Sequence, residues 1–489
     1  MPPTSRAFGR ALLVCLPAFA ASSAGAAEEY RVAFAPDAST ARVTATLSAP
    51  GGRLSMAAWG ADMHPRGWAH YVRELRITDG SNRVLSAEED PKAAAWQIPS
   101  TAGVVRIQYD VDLAFTRTEW PYGNEQAGLW QDGALFLVSK ALFIASDAQG
   151  PRRVRIDAPA AWSVSTPWPP VGDDPREVTV ASRDALLNNS LVVGRHAEHV
   201  VQAGKIRFIL ALLGKAKESR VELAGALGPI VEDFGAVFPA TAPTRYLMTI
   251  FSARERDAEA FQDSAAFSES EALTADTRPL WANTMAHELF HAWNGHAIAP
   301  AEYDAAQWFT EGFTEYFATR ALVRQGLATE EAFLQQAGRI LGRYVFFKSS
   351  PAFSGVTLKQ AGANKGKHRL GVYDGGWAVA LSLDVRARAA GGRTLDDAMR
   401  LLYERFGRET RKYTYEELVA TLSEGLGEDL RPFFARYVEG DDVLPIEETL
   451  RAAGYRALIT PYAGEVYLRR DAHPSVKADA VRKGLLGRP

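Results

Sequence analysis

His287 and His291 stand four residues apart in His287-Glu-Leu-Phe-His291, the pattern H-E-x-x-H. On a helix, positions four apart share one face, so both imidazoles can reach one metal ion. Glu288, beside the first histidine, can then face a metal-bound water and take its proton, which is the arrangement of a zinc peptidase. Two ligands leave such a site incomplete, because a catalytic zinc takes three protein ligands and keeps one position open. Glu311 is the candidate third ligand, twenty positions after His291 in Trp308-Phe-Thr-Glu-Gly-Phe-Thr-Glu-Tyr-Phe317. Glu315 follows one turn later on the same face. There it can accept a hydrogen bond from a liganding histidine and fix that ring's tautomer. A solvated helix charge is the other reading of Glu315. The expected cofactor is one Zn2+ per chain.

Two antiparallel helices must hold these groups. Pro279 lies near a helix start, Leu280 to Trp293 has helical length, and Asn294-Gly295 is a C-cap signal. A loop with Pro300 and Asp304 leads to a second helix from about Trp308 to Arg324. Its Phe309, Phe313 and Phe317 recur every fourth residue as a buried stripe. Further helices are expected at Trp377 to Ala389, Leu395 to Phe406, Tyr415 to Glu424 and Leu430 to Tyr437. Upstream, short alternating segments broken by Gly, Pro, Asp and Asn run from Glu28 to about Leu213. Val43–Leu47, Val104–Tyr109, Val154–Ile156 and Ile206–Leu210 read as strands of a β-sandwich. The histidines of that part, His64, His70, His196 and His199, are scattered and read as ordinary surface or core residues. His296 lies too far around the helix from His291 to share a metal easily. His368, among Lys365, Lys367 and Arg369, reads as part of a solvated basic loop.

At 489 residues the chain is long enough for two or three domains. With 47% hydrophobic residues, 23% charged residues and a net charge of −3, nothing points to nucleic acid or an anionic surface. Arg6 and Arg10 precede an apolar run, Ala11 to Ala20, and Ala24-Gly25-Ala26 is an A-x-A-type cleavage site. The reading is a signal peptide over 1–27 and a mature chain starting near Ala27 or Glu28, in the periplasm or secreted, with no stable membrane anchor. Cys15, the single cysteine, falls inside that signal, so no disulfide or cysteine nucleophile is expected afterwards.

From Thr284 to about Tyr455 the chain resembles the glycyl aminopeptidase family of gluzincins, relatives of the aminopeptidase N superfamily. The resemblance rests on H-E-x-x-H followed by Trp-Asn (His287 to Asn294), and on Thr310-Glu-Gly-Phe-Thr314 in the third-ligand segment. It extends through Tyr373 to Leu383-Asp-Val-Arg-Ala-Arg388, then Leu395 to Gly407, and Phe433-Phe-Ala-Arg-Tyr-Val-Glu-Gly440. It implies zinc, Glu288 as general base and an N-terminal β domain. It also implies Tyr373 as donor to the oxyanion of the tetrahedral intermediate; from spacing alone Tyr373 would read as a packing residue.

The sequence departs from the family's pattern in two places. Relatives usually continue into a PDZ domain, which the residues after Tyr455 are too few to form. Relatives also carry a Gly-Gly-Leu-Glu-His-like segment whose glutamate binds the substrate's free amino group. Here that region reads Glu259-Ala-Phe-Gln-Asp-Ser-Ala-Ala-Phe-Ser-Glu269, where Asp263 is the candidate carboxylate.

The expectation is an α+β multidomain chain. It has a β-sandwich over 28–213, a thermolysin-like zinc-binding region over 214–350, a helical subdomain over 351–455 and a loosely ordered tail over 456–489. Its expected function is zinc-dependent hydrolysis of peptide substrates, as an aminopeptidase on short peptides. The alternatives are an endopeptidase with the same centre and a catalytically silent peptide-binding protein. Oligomeric state and side-chain preference are not legible in the sequence.

Overall fold

The computed structural model describes residues 28–487 apart from 62, 118–127, 239–242, 254–255, 271–272, 408–410 and 461–464. The expected signal segment therefore lies outside the described residues. The N-terminal part is built on a seven-stranded sheet. Its strand order is Pro170–Val171, Asp174–Val180, Arg152–Asp157, Glu28–Phe34, Thr40–Ser48, Val104–Asp112, Val72–Asp79. Buried and exposed residues alternate along Glu28–Phe34 and Thr40–Ser48, as expected when only one face of a sheet is covered. Two four-stranded sheets complete this β-sandwich, one centred on Ala134–Val138 and Ser190–Gly194, the other on Arg53–Ser55 and Ala95–Gln97. Val32, Val43, Leu47, Ile107, Leu135 and Leu137 form part of the shared core.

A five-stranded mixed sheet follows, in the order Ala197–Ala203, Ile206–Leu212, Arg245–Ser252, Ser264–Glu269, Asp257–Ala260. Here the expected boundary near residue 213 does not hold. Ile206–Leu212 pairs in parallel with Arg245–Ser252, so it belongs to the second sheet and not to the sandwich. The reason lies in its two faces. Phe208, Leu210 and Leu212 pack into the helical core, while Ile209, Ala211 and Leu213 pack against the sandwich. A strand buried on both faces reads as a continuous apolar run, which does not reveal the sheet it joins.

Twelve α-helices occur among the described residues. Helix α1 (Arg183–Leu187) sits in the β-rich part. The others are α2 (Arg220–Val237), α3 (Arg278–Phe290), α4 (Tyr303–Arg324), α5 (Glu330–Ser349), α6 (Leu358–Ala361), α7 (Gly376–Ala390), α8 (Leu395–Leu402), α9 (Tyr415–Leu426), α10 (Arg431–Tyr437), α11 (Ile446–Ala452) and α12 (Val476–Leu486). No described helix is long and apolar enough to cross a membrane. Helix α5 had no counterpart in the sequence reading, although its signals are present. The Thr329 side chain caps its start, and Phe333, Ala337, Ile340, Leu341, Tyr344 and Phe347 bury one face.

The tail also differs from expectation. Tyr455–Thr460 and Glu465–Arg470 form a hairpin, and Val466 lies so close to α5 that a Cβ on Gly338 would meet its carbonyl oxygen at 2.4 Å. Helix α12 buries Val481, Leu485 and Leu486 in the helical core. Apolar anchors spaced for a hairpin and a helix therefore order a stretch that had looked like a basic tail.

Candidate metal centre and active site

Helix α3 starts with Pro279 in its first turn and buries Trp281, Met285, Leu289 and Phe290 against the mixed sheet and α2. That packing orients the opposite side of the helix, with His287 and the following Glu288, toward α4. The helix stops at Phe290 and not at Trp293, because Asn294 turns inward. Its fully buried amide donates to the Phe309 and Thr310 carbonyls at 3.3 and 3.2 Å and to Thr314 Oγ1 at 3.2 Å. The Asn294 carbonyl accepts from His291 Nδ1 at 2.9 Å. One asparagine thus joins the two helices and sets the His291 ring. Sequence reasoning used it only as a cap and a motif position.

His287 is set in the same way from the other side. Its Nδ1 donates to Glu315 Oε2 at 2.9 Å, and Glu315 Oε1 accepts from Asn283 Nδ2 at 2.9 Å. With both Nδ1 hydrogens committed in this tautomer assignment, each Nε2 presents a lone pair. The two Nε2 atoms lie 3.1 Å apart, and Glu311 Oε2 lies 3.3 and 3.4 Å from them. Three acceptors facing one point call for a cation. Donors about 2.0–2.1 Å from a tetrahedral ion are about 3.3 Å from one another, so the triangle fits zinc. The local field agrees: burial opposes charge on His287, yet the Glu311 and Glu315 carboxylates carry it up to about 10. His287, His291 and Glu311 are the one group of three or more such side chains able to hold a metal among the described residues.

Glu288 is buried beside this triangle. Burial pushes its carboxyl up, and the His287 and His291 charges pull it back. Tyr373 lies in a wide helical turn, Leu370–Gly375, ahead of α7. Its ring stacks on His287 with centroids 6.0 Å apart. Two glycines allow this approach. A Cβ on Gly376 would sit 1.8 Å from the Trp308 carbonyl oxygen, and one on Gly312 would sit 2.3 Å from Gly376 Cα. Helices α4 and α7 therefore cross in backbone contact, one residue from Glu311 and three from Tyr373.

Lys365, read in sequence as part of a solvated loop, is turned inward. Its Nζ bonds Glu311 Oε1 at 2.5 Å and lies 5.2 Å from the Tyr373 ring. The turn that carries it is pressed onto α4, where a Cβ on Gly362 would meet the Asp304 carbonyl at 2.0 Å. Burial opposes ionisation of Glu311, but Lys365 and the histidines hold its carboxyl well below the usual range.

The outer strand of the mixed sheet, Asp257–Ala260, borders the centre. Burial raises the carboxyl of Glu259 on this strand, Lys140 pulls it back, and the charge of Glu288 adds to the rise. Glu259 pairs with Lys140, which comes from the sandwich. Asp263 lies past the turn, where its backbone N–H donates to Asn189 Oδ1 at 3.0 Å. Burial pushes its carboxyl up to about 6. No described contact joins Asp263 to the His287–His291–Glu311 cluster. His296 bonds the Ala260 carbonyl, and burial lowers it to about 4.

Solved structures with this architecture include an aminopeptidase N family protein from Idiomarina loihiensis. It is 19% identical, with a TM-score of 0.72, over 88% of this chain and 79% of that one. A mutant of the M1 zinc metallopeptidase from Deinococcus radiodurans is 14% identical, with a TM-score of 0.55, over 86% of this chain and 94% of that one. At these identities the likeness concerns the fold. No curated protein sequence matches the chain. The sequence does match the peptidase M61 N-terminal domain over residues 29–193 and the M61 glycyl aminopeptidase family over residues 281–367. These two segments span just over half of the chain, and the second contains both histidines, Glu288, Glu311 and Glu315. The gluzincin resemblance read from the motifs is therefore sound, and the chain belongs to the M61 family of peptidases.

Proposed function

We propose that the protein is an exported zinc peptidase acting on short peptides, with His287, His291 and Glu311 as metal ligands and Glu288 as general base. The observation that carries this reading is the triangle of three acceptor atoms, 3.1 to 3.4 Å apart, with a free buried carboxylate beside it. When bound, zinc lowers the pKa of its water toward neutrality and polarises the substrate carbonyl. The remaining work falls to the chain. Glu288 accepts the proton of the attacking water and passes it to the leaving amine. Tyr373 donates its hydroxyl hydrogen to the oxyanion that develops on the attacked carbon. Burial, with Glu311 nearby, raises the Tyr373 hydroxyl well above its ordinary range, so it keeps the proton it must share. Glu315 holds His287 in the tautomer that leaves Nε2 free.

Removing the metal with a chelator is expected to abolish hydrolysis of a short-peptide mixture, and stoichiometric zinc is expected to restore it. Turnover that survives complete demetallation would refute the reading. Export rests on the segment ending at Ala24-Gly25-Ala26. The intact mass of the protein made in a bacterial host is expected to place the mature start near Ala27, and an uncleaved Met1 would contradict export.

Removal of an N-terminal residue, the activity for which the family is named, would draw on Asp263 as the carboxylate for the substrate's amine. A second reading, cleavage without need of a free amine, is favoured by the Lys140–Glu259 pair.

A further inference from the structure

Lys140 is a side chain from the β-sandwich whose charged end is buried beside the metal centre of the other domain, with 1% of its side chain exposed. Its ammonium bonds Glu259 Oε1 at 3.0 Å. It also lies 3.9 Å from the ring centroid of Trp59, 5.6 Å from that of Trp68 and 5.7 Å from that of Phe261. A carboxylate and several aromatic faces around one point are the chemistry that recognises an alkylammonium.

The box is built and not incidental. Trp68 is fully buried, and its Nε1 donates to the Trp59 carbonyl at 2.7 Å, which holds the loop carrying Trp59 in place. Gly60, with φ of +80°, lets that loop lie on Trp68, since a Cβ there would meet the ring at 2.7 Å. Trp59 itself is 50% exposed, so it covers the ammonium on the side open to solvent.

The position matters because Glu259 lies on the strand Asp257–Ala260, which packs against α3, the helix that carries His287 and Glu288. A substrate's terminal ammonium seeking a carboxylate here meets one that already has a cation. Apart from Glu288, which is kept for the attacking water, acidic groups near the centre are also committed: Glu311 to Lys365, Glu315 to His287 and Asn283, and Asp374 to Arg343. Swinging Lys140 out would leave the half-buried Glu259 unpaired, which is costly.

We propose that Lys140 is a specificity-determining residue: its ammonium permanently fills the box formed by Glu259, Trp59, Trp68 and Phe261, so the enzyme cleaves peptides whether or not their N-terminus is free. This rests on the zinc-peptidase reading given above.

The test compares kcat/KM of the full-length zinc-loaded protein for one peptide with a free and with an acetylated N-terminus. The parent is expected to cut both at a ratio near one. Lys140→Met is expected to favour the free-amine peptide by about tenfold to hundredfold, mainly through KM, because Glu259 then accepts the substrate's ammonium. Adding Glu259→Gln to that variant should remove the gain, and Lys140→Arg should keep the parent's ratio. A structural tie between the domains would alter stability but not this ratio.

A parent that leaves the acetylated peptide uncut overturns the proposal, even if Lys140→Met does not fold. So does an unchanged ratio in a folded Lys140→Met. If the parent cuts neither peptide, the peptidase reading fails, and calorimetry decides the box separately. Glycinamide should bind Lys140→Met and not the parent, with N-acetylglycinamide binding neither. Saturable binding of glycinamide to the parent that Glu259→Gln abolishes would refute the filled box.

Discussion

Glu288→Gln is expected to lower kcat by about 10²–10⁴-fold, the usual contribution of a positioned acid–base group, with zinc content equal to the parent's. Glutamine has nearly the shape of glutamate and is uncharged, so the packing around this buried position should survive. It cannot accept a proton. The ligand triangle consists of His287 Nε2, His291 Nε2 and Glu311 Oε2, none of which belongs to residue 288. Metal analysis and steady-state kinetics on the same preparation therefore separate two explanations. A loss of turnover with full zinc assigns proton transfer to Glu288. Retained turnover removes Glu288 from the mechanism, and lost zinc would make it part of the coordination.

The largest stability effect is expected from Arg320. Its guanidinium is fully buried, bonds Asp384 Oδ2 at 3.0 Å and makes a close ion pair with Asp396. Asp384, also fully buried, accepts in addition from Tyr316 at 2.6 Å, Arg388 at 2.9 Å and the Leu395 backbone at 3.1 Å. This network joins α4, which carries Glu311, to α7 and the start of α8. Arg320→Ala leaves Asp384 short of a cation, and breaking such a buried pair costs about 3–5 kcal/mol. Urea unfolding followed by far-UV circular dichroism is expected to show that loss in the helical transition. Replacing Arg320 with Met and Asp384 with Leu together should cost less, because both fully buried charges are then gone and only the less buried Arg388 and Asp396 each lose a partner. A loss below about 1 kcal/mol for Arg320→Ala, within the range of a surface pair, would show that the network does not hold the helices together.

The parts legible in the sequence share one property, which is that their signal is local. The spacing of His287 and His291 is a helical period, so any helix there places both rings on one face. Glu311 and Glu315 repeat the same logic one helix later, and Phe309, Phe313 and Phe317 mark that helix's buried side. Strands with one covered face, such as Thr40–Ser48, announce themselves by alternation. Where burial is two-sided, as at Ile206–Leu212, the strand is visible but its sheet is not.

Asp263 and Glu259 show where local reasoning stops. Both lie in the segment that departs from the family's pattern, and both carry a carboxylate. Which of them meets the centre depends on the direction each side chain takes from strand or turn. That direction is set by pairing with Ser264–Glu269 and by what packs on either face. Lys365 is similar: its neighbours Lys367, His368 and Arg369 suggest solvent, and the contact of Gly362 with α4 turns it inward.

The sequence alone determined the candidate metal ligands, their helical spacing, the candidate base beside them and the family. Those features are written in runs of a few residues. Only the tertiary structure decided that Lys140 and Glu259, 119 residues apart on different domains, share a box beside the centre. No periodicity links them, because their meeting depends on how the sandwich packs against the outer strand of the mixed sheet.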